Sequence, residues 1–144
     1  LELKENDTNS MWRLTKQFKL DSKLPEMGRF LALQGEIIGE GIQGNPYRLR
    51  GQEFYLYDIY DIDQGEFLSS TERRSLADQF GIKHVPVLAE SVELTTVETL
   101  LKTAEGPSVL NTATEREGIV FKCLSNTDLH FKAISNKFLM KTGK

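Results

Sequence analysis

Two short apolar stretches with ionisable residues at their ends are where this sequence could do chemistry. The first is Arg116-Glu117-Gly118-Ile119-Val120-Phe121-Lys122, and the second is Leu129-His130-Phe131-Lys132-Ala133-Ile134. β-Branched and aromatic residues fill both, a composition that reads as short strands. On neighbouring strands, Glu117, Lys122 and Lys132 would make a compact mixed-charge site. A carboxylate there suits a divalent metal, and the ammonium groups suit a phosphate. An ordinary strand with solvated ends would carry the same string, so the weight falls on what accompanies it. Strict alternation also puts Glu117 and Lys122 on opposite faces of a strand. To join them the strand must twist or bulge, or the lysine must reach round its end.

The elements that must position these groups follow from periodicity and punctuation. Residues 30–39 read as a strand with Glu36 in its middle. A carboxylate amid apolar neighbours is costly unless it is paired or faces a cavity, although a strand with one wet face would hold it too. Gly35, Gly39, Gly41 and Gly44, with Asn45-Pro46, predict a flexible connection. It is not a P-loop, because no G-K-[ST] follows. Residues 53–62 predict a second strand carrying Phe54, Tyr55, Tyr57 and Tyr60. These rings suit core packing, and one could equally form a stacking wall for a base.

Asn9 or Ser10 can cap a helix running to Phe18, with Met11, Leu14 and Phe18 on its buried face, ended before Pro25 and followed by a turn at Gly28. Ser69-Ser70-Thr71-Glu72 resembles a capping box and opens a helix to about Phe80, stopped by Gly81. Residues 84–88 predict a short edge strand broken by Pro86. Thr95-Thr96-Val97-Glu98 opens a second helix to Glu105, with Val97, Leu100, Leu101 and Ala104 facing inward. A turn at residues 125–128 separates the two opening stretches, and the tail from Ser135 predicts a frayed helix. Helices and strands alternate irregularly, without a βαβ rhythm, so the expected class is α+β with a largely antiparallel sheet flanked by helices.

Composition narrows the class of protein. A chain of 144 residues, 39% hydrophobic and 27% charged, is about one globular domain. A net charge of −3 excludes a broad basic surface for nucleic acid. The single cysteine, Cys123, allows neither an internal disulfide nor a zinc site, which fits a reducing, intracellular and cytoplasmic setting. Leu1-Glu2-Leu3-Lys4-Glu5 is neither a signal peptide nor a membrane segment, so no membrane partner is expected. The chain lacks an initiator methionine and opens in a strand-like phrase, as a piece of a longer protein would.

The order of the pieces resembles a known family. Q-G-E-I-I-G-E-G-I-Q around Glu36, F-Y-L-Y-D-I from Phe54, E-G-I-V-F-K from Glu117 and H-F-K-A-I-S-N-K-F-L around Lys132 are similar to motifs III, IIIa, IV and V of the covalent nucleotidyltransferases. They look most like the ATP-dependent RNA ligases of the nick-sealing branch. The resemblance implies a nucleotidyltransferase fold, with residues 1–144 as the C-terminal part of an adenylation domain. It implies ATP, held as AMP in the intermediates, and Mg or Mn. Glu36 would bond the ribose, Phe54 would stack on adenine, and Glu117 would bind the metal. Lys132 would hold the α-phosphate as a catalytic residue with Glu117, and Lys122 would help neutralise phosphates.

Two features depart from the family pattern. Ile134 stands where relatives often carry a second lysine, with Lys137 nearby. Lys19-Leu20-Asp21-Ser22 is the nearest string to the adenylated K-x-D-G of motif I, yet it lacks the glycine and lies too close to Glu36. The resemblance therefore implies an upstream segment of the same enzyme bearing the nucleophilic lysine. The partners would be ATP and RNA ends or nicked duplex RNA, and this chain alone would be inactive. A DNA ligase or capping-type enzyme shares the chemistry. A non-catalytic module could instead hold RNA through Arg48, Arg50, Arg73 and Arg74.

Overall fold

The computed structural model describes residues 9–142; the strand-like phrase at residues 1–5 lies outside them. The chain divides into two compact units, one of residues 1–45 and 49–85, the other of residues 46–48 and 86–144. Among the described residues five helices accompany antiparallel sheets, the α+β arrangement expected from the sequence.

In the first unit, helix α1 covers Ser10–Gln17, and the Asn9 side chain accepts the Met11 N–H at 2.9 Å. Leu14 is buried and Phe18 packs on the core, but Met11 is 57% exposed and takes no part in it. Lys19 then adopts a left-handed conformation (φ 54°), and a second short helix α2, Leu20–Glu26, begins. Pro25 lies inside α2, where the sequence predicts a stop. The final turn closes through shorter bonds, Met27 N–H to Leu24 O and Gly28 N–H to Pro25 O. Little regular ladder is therefore lost to the missing proline N–H.

Strands β1 (Leu31–Gly39) and β2 (Gln52–Asp61) form one long antiparallel ladder. Its register slips between Gln34, opposite Asp58, and Gly35, opposite Leu56, so Tyr57 is the extra residue of a bulge on β2. The other edge of β2 is shared: β3 (Glu66–Phe67) pairs antiparallel with it and β4 (Lys83–His84) pairs parallel. The strand predicted over residues 84–88 is this short β4. Val85 N–H still reaches Leu56 O at 2.9 Å, and Pro86, having no N–H, ends the ladder.

Helix α3 (Ser70–Phe80) is bounded as expected, by Ser69 accepting the Glu72 N–H and by Gly81 at φ 69°. It covers the sheet and closes a core of Leu56, Ile59, Leu68, Leu76, Ala77, Phe80 and Ile82. Arg73, weighed above as an RNA contact, is only 5% exposed. Its guanidinium lies 3.7 Å from the buried Asp58 and donates to His84 Nε2 at 3.0 Å and Ser70 Oγ at 3.1 Å. It therefore serves the interior of this unit.

In the second unit, helix α4 (Val97–Ala104) is capped by Thr96, which accepts the Thr99 N–H at 3.2 Å. The cap falls one residue later than the Thr95–Glu98 box would place it. Val97, at the first helical position, is 71% exposed, while Ala104 is fully buried. Strands β5 (Gly118–Lys122) and β6 (His130–Ile134) form an antiparallel pair, and α5 (Asn136–Thr142) follows as predicted. No helix among the described residues is long and apolar enough to cross a membrane.

Candidate functional site

The register of β5 and β6 decides which side chains share a face. Gly118 pairs with Ile134, Val120 with Lys132, and Lys122 with His130. Directly opposed residues lie on the same face and chain neighbours alternate, so Lys122, His130 and Lys132 project together beside Val120. The opposite face carries Phe121 and Phe131, stacked at 5.2 Å, and the buried Ala133. One face carries the stacked phenylalanines and the buried Ala133, and the other carries two lysines.

Glu117 lies one residue before β5, so strand alternation does not bind it. Its backbone is nevertheless held, because its carbonyl accepts the N–H of the fully buried Ser135 at 2.8 Å. Its carboxylate Oε1 accepts a bond from Lys132 Nζ at 2.5 Å, with the two side chains about half exposed. Gly118 allows this close crossing, since a Cβ there would collide with the Ala133 carbonyl oxygen. The structure thus brings Glu117 and Lys132 into contact and sets Lys122 on the lysine's face. Ile134 lies on that face too, 38% exposed, where relatives often have a lysine. Lys137 instead rests on Glu105, 3.2 Å away.

A metal at this place would have one protein carboxylate. The described residues contain no group of three or more His, Cys, Asp or Glu that could cage an ion. Glu117 fits the other mode, in which one or two carboxylates hold an ion chiefly ligated by water and substrate phosphates. Its present partner is a cation, Lys132, so the position already favours positive charge.

In the first unit, Glu36 is exposed on β1 and stands opposite Tyr55, whereas Phe54 stands opposite Ile37. Glu36 and Phe54 therefore lie on opposite faces of the ladder. The Phe54 ring packs against the core and lies over Gly35, where any Cβ would strike it. The register sets Tyr55 opposite Glu36 and Tyr60 opposite Ala32 on that face, while Tyr57 sits at the bulge. Tyr55 is engaged: its hydroxyl donates to Glu53 at 3.1 Å, and Lys83 Nζ lies 5.7 Å from its ring centroid. Burial and the Glu53 bond push its phenol pKa above the ordinary value. Lys83 also bonds Glu53 at 2.9 Å, holding that carboxyl below its usual range. Tyr57 is 39% exposed at the bulge. The sequence offers Tyr57 as one of four candidate rings, and the resemblance points to Phe54; the bulge that exposes Tyr57 is a property of the pairing, which one strand does not carry.

Lys19, in the motif I look-alike, is an exposed residue in the left-handed turn between α1 and α2.

The RNA ligase family model matches residues 1–141. The chain belongs to the RNA ligase family. Solved structures of a Naegleria gruberi RNA ligase are similar to it. The form with PPi is 48% identical with a TM-score of 0.91, covering 99% of this chain and 43% of that one. A mutant with AMP and Mn is 48% identical with a TM-score of 0.90, covering 97% and 43%. Another mutant, with ATP and Mn, is 47% identical with a TM-score of 0.92, covering 99% and 44%. This family member thus spans a little under half the length of those solved relatives. A search of curated proteins found no match.

Proposed function

We propose that this chain supplies the nucleotide, phosphate and metal contacts of an ATP-dependent RNA ligase. The observation that carries the reading is the Lys132–Glu117 contact with Lys122 on the same ladder face. Lys132 holds the α-phosphate, so that charge building on its oxygens meets a fixed ammonium group. Lys122 neutralises neighbouring phosphates. Glu117 holds Mg or Mn, which supplies further positive charge against the phosphate oxygens.

Glu36 accepts a hydrogen bond from the ribose. The stacking wall for adenine is Tyr57 rather than Phe54, supported by its exposure at the bulge and by the packing of Phe54 against the core. Residues 1–144 form part of an adenylation domain, its first unit offering Glu36 and Tyr57 and its second Glu117, Lys122 and Lys132. A lysine contributed by another segment of the enzyme attacks the α-phosphorus and expels pyrophosphate, leaving lysyl-AMP. AMP then passes to an RNA 5′-phosphate, and an RNA 3′-hydroxyl displaces it to join the ends.

Two measurements test this. Calorimetric titration of the chain with ATP and Mn²⁺ should show binding that E36A and Y57A weaken and F54Q tests separately through stability. RNA binding indifferent to E36A and Y57A, with no ATP binding, would favour a non-catalytic module. Incubation with α-labelled ATP should leave the chain without covalent label; a labelled lysine would refute the assignment of the nucleophile elsewhere.

A further inference from the structure

Arg116, the residue before Glu117, is committed to one place. Its guanidinium spans the C-terminal end of α4, with Nε donating to Ala104 O at 2.9 Å and Nη2 donating to Thr103 O at 2.5 Å and Glu105 O at 2.7 Å. Its backbone N–H donates to Gly106 O at 2.9 Å. Helix ends leave such carbonyls without helical partners, and a cation there also meets the negative end of the helix dipole. Gly106, beside the guanidinium, holds φ 131°, a conformation that L side chains rarely adopt.

The consequence falls on Glu117. It stands outside β5, and its carboxylate is about half exposed. A glutamate so placed would lose much backbone and rotamer freedom on gripping an ion. Arg116 fixes the chain on one side of it, and the Ser135 N–H on its carbonyl fixes the other. We propose that Arg116 is a positioning residue for Glu117. By clamping the end of α4 it holds the Glu117 backbone where its carboxylate can exchange Lys132 for a divalent cation. The proposal rests on Glu117 being the metal-binding carboxylate.

The test is Mn²⁺ titration of the ¹⁵N-labelled chain, read by paramagnetic broadening of the Gly118 amide, with unfolding midpoints measured in parallel. E117Q defines the broadening due to Glu117. R116A should raise the Mn²⁺ concentration for half-broadening about tenfold, the scale on which groups that orient metal ligands act. R116K should recover part of this, since an ammonium can cap one carbonyl but lacks the fork. L101A, at a half-buried position of α4 that makes no bond to Glu117 or Arg116, provides a fold destabilised through the same helix. It should leave the Mn²⁺ dependence unchanged. Wild-type Mn²⁺ dependence in R116A, or an equal weakening in L101A, would overturn the positioning role while leaving Glu117 as ligand. Absence of broadening in the wild type, or broadening kept in E117Q, would overturn the metal reading of Glu117 and this inference with it.

Discussion

Lys132 and Glu117 neutralise one another in this structure, and the strength of that contact bears on what they can do. Both side chains are about half exposed, and exposed pairs contribute about 0–1 kcal/mol. A pair that weak opens readily, releasing the ammonium to a phosphate and the carboxylate to a cation; a buried pair would cost about 3–5 kcal/mol to break. K132A should accordingly change the unfolding free energy by less than about 1 kcal/mol while abolishing calorimetric ATP binding. At the aromatic positions the expectation is reciprocal. Y57A should weaken ATP binding with little loss of stability. F54A should cost about 3 kcal/mol in denaturant titration, as a ring packed on the core does. Asp61 supplies a pH dependence. Its carboxyl is held below the usual range, first by the Arg29 hydrogen bond at 2.8 Å and then by the Gln64 N–H. A lowered native pKa gives stability that is complete above the ordinary carboxylate value and lost as pH falls through the native one. Thermal midpoints below about pH 4 should therefore fall more steeply in the wild type than in D61N.

At the scale of elements, the working parts are the bulged β1–β2 ladder, the β5–β6 pair and the helices braced against them. The bulge turns Tyr57 outward while Leu56 and Ile59 stay fully buried. One added residue in one strand thus serves both a packed interior and an exposed ring. Gly118 is the tightest point of the β5–β6 pair. G118A would push β5 from the Ala133 carbonyl and should lose the Glu117–Lys132 contact, seen as collapse of the cross-strand nuclear Overhauser effects between Gly118 and Ile134. In the first unit, α3 and the sheet are tied by a buried cation, so R73A should cost about 3–5 kcal/mol in urea unfolding by removing the guanidinium from its buried place beside Asp58. R50A, at an exposed loop position, should fall within about 0.5 kcal/mol of wild type. That contrast separates an arginine in the interior from one at the surface.

Over the whole molecule, stability is unevenly spread. The apolar core described above belongs to the first unit, between the sheet and α3. In the second unit, residues 86–96 carry no helix or strand, and Val87, Leu88, Val92 and Leu94 are about half exposed. Amide exchange should reflect this: Leu56 and Ile59 slowest, residues 87–95 fastest. The charge distribution agrees with a site-centred rather than a surface-wide mode of polyanion contact. The net charge is −3, yet Lys122 and Lys132 share one face of one strand pair. Local concentration of charge outweighs the global balance where a phosphate must be held at one point.

Local chemistry determined the kinds of elements, most of their boundaries and the order of the motifs, because periodicity, caps and turn residues act over a few neighbours in the chain. Asn9, Ser69 and Gly81 bound their helices as the sequence implied, and both lysine-bearing stretches are strands. Pro25 and Thr95 misled by a turn and by one residue, since tighter hydrogen bonds and a neighbouring threonine satisfied the same backbone groups. Only tertiary structure decided that Phe54 turns to the core, that Tyr57 is exposed at a bulge, that Arg73 is interior, and that Arg116 grips α4. Each of those outcomes depends on pairing register or on a partner distant in the chain, and a single strand or helix carries no record of what will be laid against it.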